Sequence, residues 1–426
     1  MKNKKAIYLL FTANAISGIA QGISMIAIPW YFSNVINQPG VYGKIFWLVT
    51  VASLFWGLYV GSLVDQYNRK NLFLATSAVG GSILFSAAFS GFINETIPTE
   101  MVALVFATTI FIFNIHYPTL YAFAQEISEA KDYGKITSYI EVQGQTSSAM
   151  AGAFAAVLMK GTQNGMLNVF GFKLNIGFDI AAWSLHEIFL LDGCTYILSI
   201  LLVGLMRFTP VAMRYKEQIK ITERLKVGFR YLNKNRFIFL FGTLAASVFV
   251  AILVISYYLN PIYIKAHLNK GADVYASYEF YFAIGSLLAG LFVQKVFQKM
   301  NAVAGVIILG IISATCYFVC VFNQSLYVFY IIALLVGFSN AGSRVLRVNY
   351  LFQRIPNQVI GRTSSVFTVV NTLFRIVFTY LFSMPFFLRE NHVIFAYLLF
   401  SVFIFVSVVI LVSYYKQILN AESTEV

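Results

Sequence analysis

The chain is a succession of long apolar blocks broken by short polar connections. A helix that crosses a bilayer needs about 20 consecutive apolar residues, and lipid forces such a segment to satisfy its own backbone hydrogen bonds. Twelve blocks reach that length: 6–32, 42–65, 72–93, 101–123, 136–160, 185–206, 237–260, 275–296, 302–322, 326–350, 363–386 and 392–415. The pattern predicts an all-α membrane protein with twelve transmembrane helices. An even number of crossings puts both termini on one side. Lys2, Lys4 and Lys5, followed by an apolar run through Ala13-Asn14-Ala15, imitate a cleavable signal. The run continues to Phe32, too long for a signal, so it is expected to remain as the first span.

Composition agrees with that pattern. Hydrophobic residues make up 59% and charged residues 11%, whereas soluble domains carry about 25% charged residues. In a soluble chain a net charge of +13 would point to nucleic acid. Here its placement points elsewhere. Of the 30 Lys and Arg, 21 fall on the side of the termini. Only Lys160, Lys173, Lys265, Lys270 and Arg389 fall on the other side. Positive loops stay cytoplasmic, so both termini are expected in the cytoplasm of a multi-pass protein of a bacterial inner membrane, with the lipid bilayer and no nucleic acid as partner. Cys194, Cys316 and Cys320 lie inside apolar blocks and read as packing residues. The basic connection 207–236 divides the chain into a six-helix bundle over 1–207, a linker over 208–236 and a second six-helix bundle over 237–426. Within the linker, Glu223 to Arg236 reads as an amphipathic helix lying on the anionic inner leaflet.

One stretch carries more information than the rest. Gly57 and Gly61 are four apart and would share a helix face open to a neighbouring backbone. Asp65, Arg69 and Lys70 follow where the helix leaves the lipid. Asp65 can pair with Arg69 or receive the N–H groups at a neighbouring helix N-terminus. This stretch resembles the signature loop of the major facilitator superfamily, G-x-L-x-D-x-x-G-R-K-x-x-x-L. Gly61, Leu63, Asp65, Arg69, Lys70 and Leu74 match, and Asn68, which also tolerates a left-handed turn, replaces the family's glycine. Other segments are similar to the efflux branch that contains macrolide-efflux and enterobactin-exporter proteins. They are Ala27-Ile-Pro29-Trp30-Tyr31, His116 with Pro118, Ile188-Phe189 with Asp192, and Arg347 to Pro356 followed by Gly361-Arg362-Thr-Ser364.

The resemblance implies two pseudo-symmetric six-helix bundles rocking about a midplane site, a monomer, and a small-molecule substrate. It also implies a cytoplasmic latch in which Gly61, Asp65, Arg69 and Lys70 dock against the segment beginning near Gly361-Arg362. Two departures stand out. Proton-coupled exporters carry an arginine in span 4 where this chain has Thr109. The span 5 antiporter motif is reduced here to Gly144 and Gly152 of its glycines, without its proline. Proton-driven export is thus implied by the family and not by a preserved motif. A duplication is also legible: Gly61, Asp65 and Lys70 recur as Gly290, Gln294 and Lys299, and Gln125 with Gly134-Lys135 recurs as Gln353 with Gly361-Arg362.

Polar residues inside the spans are the remaining pointers, because a charge at the bilayer centre costs roughly 2.5–3.5 kcal/mol. Arg375, with Asn371 one turn before it, lies midway along span 11 and would bind an anionic group or a carboxylate. Asp192, Glu141 and Glu279 are candidate proton carriers. Asn14, Gln21 and His116 are candidate cavity residues. Arg344 and Arg347 stand near the end of span 10, where long side chains snorkel, and read as gate or topology residues. The loop 161–184 reads as an interfacial helix or a hairpin lip. The chain shows no phosphate-cradling loop, no HExxH and no nucleophile elbow, so no enzyme, cofactor or metal is expected. The expected function is secondary export of an amphipathic drug or siderophore with H+ as coupling ion. The alternatives are an importer or facilitator of an anionic metabolite and a non-transporting receptor.

Overall fold

The computed structural model describes residues 4–129, 132–162, 164–207 and 221–421; the side chains of Gly61, Ser62, Asp65, Gly134, Leu167, Asn168 and Asn357 lie outside the description. Among the described residues eleven helices are long and apolar enough to cross a membrane. The other expected span, 136–160, does form a helix, α5 (Tyr133–Leu158). It falls short in apolarity because Glu141, Gln143, Gln145, Thr146, Ser147 and Ser148 crowd one stretch of it. The chain forms two compact units. One comprises Met1–Gln38, Ala52–Glu217 and Gly271–Phe280, and the other Pro39–Val51, Gln218–Lys270 and Tyr281–Val426.

The first unit begins with α1 (Lys4–Trp30). Pro29 withholds a backbone donor, and the helix widens straight after it into a π-turn over Tyr31–Val35. Helix α1 packs on α5 and α6 (Leu185–Gly204). A Cβ on Gly22 would stand 2.6 Å from the Cβ of Ala151, so these two helices approach through a glycine. The first unit also holds most of α2 (Pro39–Gln66), α3 (Arg69–Asn94) and α4 (Thr99–Glu126). Helix α3 packs on α4 and α6, with the ring of Tyr196 lying against Gly80 and Gly81.

Two local expectations change here. Asn68 is not left-handed: at φ −59° it is the N-cap of α3, and its side chain accepts from the N–H of Lys70 and Asn71. The position needs a capping oxygen. Gly57 meets no atom within 4 Å of where its Cβ would be, so it does not admit a neighbouring backbone.

The loop 161–184 resolves as a hairpin. Strand β1 (Met166–Val169) pairs antiparallel with β2 (Phe172–Asn175). The two-residue turn has positive φ at both Phe170 and Gly171, the backbone that matches strand twist. Glycine adopts it freely, but a bulky phenylalanine is held there at a cost. The Phe170 N–H donates to Ser277 Oγ at 3.1 Å, and its ring packs at a tilt with its centroid 4.3 Å from that of Phe280. At the other end of the loop Lys160 Nζ pairs with Asp273 Oδ2 at 2.7 Å. All of these residues belong to the first unit.

The second unit opens with α7 (Ile221–Lys234), the expected amphipathic helix. Its apolar face is covered by protein. Tyr231 and Leu232 are buried with Ile355, Val359 and Phe367, and a Cβ on Gly228 would stand 2.4 Å from the Arg362 carbonyl oxygen. Helix α7 therefore docks on α14 (Asn357–Phe382), and that face is not available to lipid. Its Arg224, Lys226, Arg230 and Lys234 remain exposed. The next span is interrupted: α8 (Arg236–Leu244), α9 (Ser247–Val254), a π-turn over Ile255–Leu259 and α10 (Asn260–Ala266). The part of α11 (Ala272–Val296) from Tyr281 on follows, and then α12 (Ala302–Phe322), α13 (Leu326–Arg354), α15 (Pro385–Leu388), α16 (Val393–Ser413) and α17 (Tyr415–Leu419). Helix α12 packs on α13 and α16. Tyr263, Tyr317 and Tyr397 form a buried aromatic centre.

Candidate functional site

A line of polar side chains runs inside the first unit along one face of α1. Asn14, Gln21 and Ser24 recur at helical spacing, so they point the same way. Each finds a partner on another helix. Asn14 Oδ1 lies 2.7 Å from His116 Nε2 on α4. Gln21 Nε2 donates to the Tyr196 hydroxyl at 3.2 Å. Ser24 Oγ donates to Asp192 Oδ2 at 2.7 Å. Ser199 Oγ also donates to the Ala13 carbonyl at 3.2 Å, which pins α6 to α1 in that register.

Asp192 is placed by the start of α6. Ser184 and Glu187 form a reciprocal capping box, which fixes the first turn and sets Asp192 two turns further in. Its side chain is 1% exposed, and Oδ1 has no hydrogen-bond partner. No described cation lies within ion-pair reach of it. Gly193 beside it packs against the ring of Phe85. His116 sits with its ring 5.0 Å from that of Phe73.

The other predicted residues are not part of this line. Glu141 on α5 is exposed and accepts from the Tyr121 hydroxyl at 2.5 Å. Glu279 lies on α11, half-buried, and is not a hydrogen-bond partner of Asp192. In the second unit Asn371 is 8% exposed, and its Oδ1 is unpartnered. One turn on, Arg375 Nη2 donates to Thr372 Oγ1 at 3.3 Å, while its Nε is unpartnered. No described carboxylate pairs with Arg375. Sequence reading missed Ser24 and Tyr196. The three-residue step from Gln21 to Ser24 was the available signal for the first; nothing in sequence marks which tyrosine turns inward.

The signature stretch is described in part. Gly61 and the Asp65 side chain lie outside the described residues. Arg69 Nη1 pairs with Glu126 Oε2 at 2.8 Å, joining the start of α3 to the end of α4. Lys70 Nζ donates to the carbonyls of Gly204 and Met206, both at 2.8 Å. A cation on the last carbonyls of α6 satisfies groups that the helix leaves open and complements its dipole. Arg362 lies near the start of α14, half-buried and beneath α7. The Glu126 carboxylate is only 5% exposed, so Arg69→Met, which removes this ion pair from a nearly buried carboxylate, should cost about 1–3 kcal/mol. Pairing it with Glu126→Leu should recover most of that. A double-mutant cycle on thermal unfolding in detergent measures the coupling.

Comparison with known proteins places these features. The model of the Major Facilitator Superfamily matches residues 10–379. The chain belongs to the major facilitator superfamily. Macrolide efflux protein A of Streptococcus pyogenes is 23% identical over 320 residues, 72% of each chain, in line with the resemblance to the macrolide-efflux branch. Solved structures share the fold. The nucleoside transporter NupG has a TM-score of 0.72 at 12% identity, covering 96% of this chain and 99% of that one. A D-xylose-proton symporter has 0.70 at 12% identity, with 95% and 97% covered. A bacterial homologue of ferroportin in an inward-facing state has 0.70 at 11% identity, with 96% and 98% covered. This superfamily chain is therefore a membrane transporter and not an enzyme.

Proposed function

We propose that this transporter exports a small amphipathic molecule, of the drug or siderophore class, coupled to inward proton flow by alternating access. The reading sets it in a bacterial inner membrane with both termini cytoplasmic, working as a monomer of two six-helix bundles. The observation that carries the coupling is the Ser24–Asp192 pair: a carboxylate buried among apolar helices, with one oxygen unpartnered and no described cation in reach. Intramembrane acids of this kind mark proton relays in transporters. Similarity to a macrolide efflux protein supports the outward direction. The test is a deletion strain exposed to toxic amphipathic compounds and assayed for secreted siderophore, with and without a protonophore. The reading expects sensitisation or lost secretion, mimicked by the protonophore.

Arg375 favours a second reading, import or facilitated passage of an anionic metabolite. It is a permanent cation within a span and has no described carboxylate to balance it, and a guanidinium grips carboxylate or phosphate with two parallel hydrogen bonds. Accumulation of an anion inside whole cells, diminished by Arg375→Ala, would select this reading over export.

A further inference from the structure

A separate feature of the second unit points to a ligand. Ala245 and Phe249 from the broken span, with Asn340, Ser343, Arg344 and Arg347 from α13, line a cavity of about 100 Å³. A water needs only roughly 10–15 Å³ on this measure, so the space accommodates a group of several heavy atoms. Its floor is polar in an unusual way. Ser343 is 3% exposed, and its hydroxyl has no partner. A serine within a helix ordinarily returns that hydroxyl to the carbonyl one turn back, as Ser313 does to Leu309. Arg347 Nη1 is likewise buried and unpartnered, and no described carboxylate pairs with Arg347. Arg344, which is exposed, stands one turn earlier and also lines the cavity. One wall is the ring of Phe249.

Buried donors without acceptors are costly. Here the donors left over are a guanidinium N–H and a hydroxyl, both at a cavity that a second arginine also lines. An oxyanion supplies the missing acceptors. We propose that this cavity binds the oxyanion end of an amphipathic molecule. A carboxylate or phosphate is held by Arg347, Arg344 and Ser343, and the apolar body lies against Phe249. The same chemistry describes a soluble aromatic acid and an anionic lipid headgroup. The site is independent of the direction of transport and of the Asp192 line, which lies in the other unit.

The test uses the full chain in nanodiscs of phosphatidylcholine, with radiolabelled phenyl phosphate as probe. Saturable binding is expected. Arg347→Ala should weaken it about tenfold or more, the worth of one charge-assisted hydrogen bond. Ala245→Leu fills the cavity without touching a charge and should weaken binding as much, while Arg389→Ala, in an exposed loop, should not. A second arm replaces half the lipid with phosphatidylglycerol and counts lipids retained by native mass spectrometry. If phosphatidylglycerol excludes phenyl phosphate in the parent but not in Arg347→Ala, the occupant is a lipid headgroup. If it has no effect, the occupant is a soluble anion. Absence of saturable binding by either probe overturns the proposal. So does binding that Arg347→Ala and Ala245→Leu both leave unchanged in protein of parental helix content.

Discussion

Replacing Asp192 by asparagine is expected to reduce gradient-driven transport by about tenfold or more, while substrate exchange without a gradient continues. Asparagine keeps the size of the side chain and can still accept from Ser24 Oγ, which now stands 2.7 Å from Asp192 Oδ2. What it loses is the ability to take up and release a proton. Stability should change by no more than about 1 kcal/mol, because asparagine has nearly the same size and keeps an acceptor for the Ser24 hydroxyl. Proteoliposomes loaded at one pH and diluted into another measure the driven flux, and counterflow at equal pH measures exchange. A structural role for Asp192 would move both together. Equal flux in parent and variant under an imposed pH gradient would remove Asp192 from the coupling and leave the buried pair as packing alone. Ser24→Ala should show a smaller effect of the same kind, since it frees the second carboxylate oxygen without removing the acid.

The architecture was legible because lipid imposes one rule on every crossing segment: enough apolar residues in a row, with backbone hydrogen bonds closed inside the helix. Only α5 blurred that signal, since its polar stretch serves neighbours in the protein; Gln143 Nε2, for instance, donates to the Phe11 carbonyl at 2.6 Å. The candidate site was half legible. Asn14, Gln21, His116 and Asp192 stood out as polar residues in apolar blocks, and they do lie in the line of hydrogen bonds along one face of α1. Their pairing was not legible, because which helix faces which is set by packing at positions such as Gly22 and Gly81, where small residues let α5 and α6 close in. Charge was legible only in part. The expected pairing of Arg69 with Asp65 involves a side chain outside the described residues, and the ion pair of Arg69 with Glu126, 57 residues away, had no signal in the sequence. Arg344 and Arg347 were read as snorkelling side chains from their distance to a helix end. Depth along a helix does not reveal that its face meets a cavity.

Gly285→Leu is expected to abolish accumulation of folded protein, whereas Gly290→Leu, little more than one turn away on the same helix, should be silent. A Cβ on Gly285 would stand 2.0 Å from the Leu334 carbonyl oxygen, and one on Gly337 2.1 Å from the Phe282 carbonyl oxygen. Helices α11 and α13 therefore touch backbone to backbone at two glycines, the close approach that small residues permit in lipid, where apolar area alone does not drive helices together. Backbone cannot turn aside as a side chain can, so any larger residue must push the helices apart along the whole contact and forfeit its dispersion energy. That loss belongs with the rare substitutions costing more than about 4 kcal/mol. Gly290 has no atom within 4 Å of its Cβ direction and is exposed, so leucine there should change stability by less than about 0.5 kcal/mol. Fluorescence-detected size exclusion of the two variants, expressed side by side, checks the contrast. Gly290 was the glycine singled out from sequence, as the counterpart of Gly61 in a repeat, and Gly57 was singled out by its spacing to Gly61. Spacing identifies glycines that could admit a neighbour, but only the neighbour's position decides which of them do, and on α11 that glycine is Gly285.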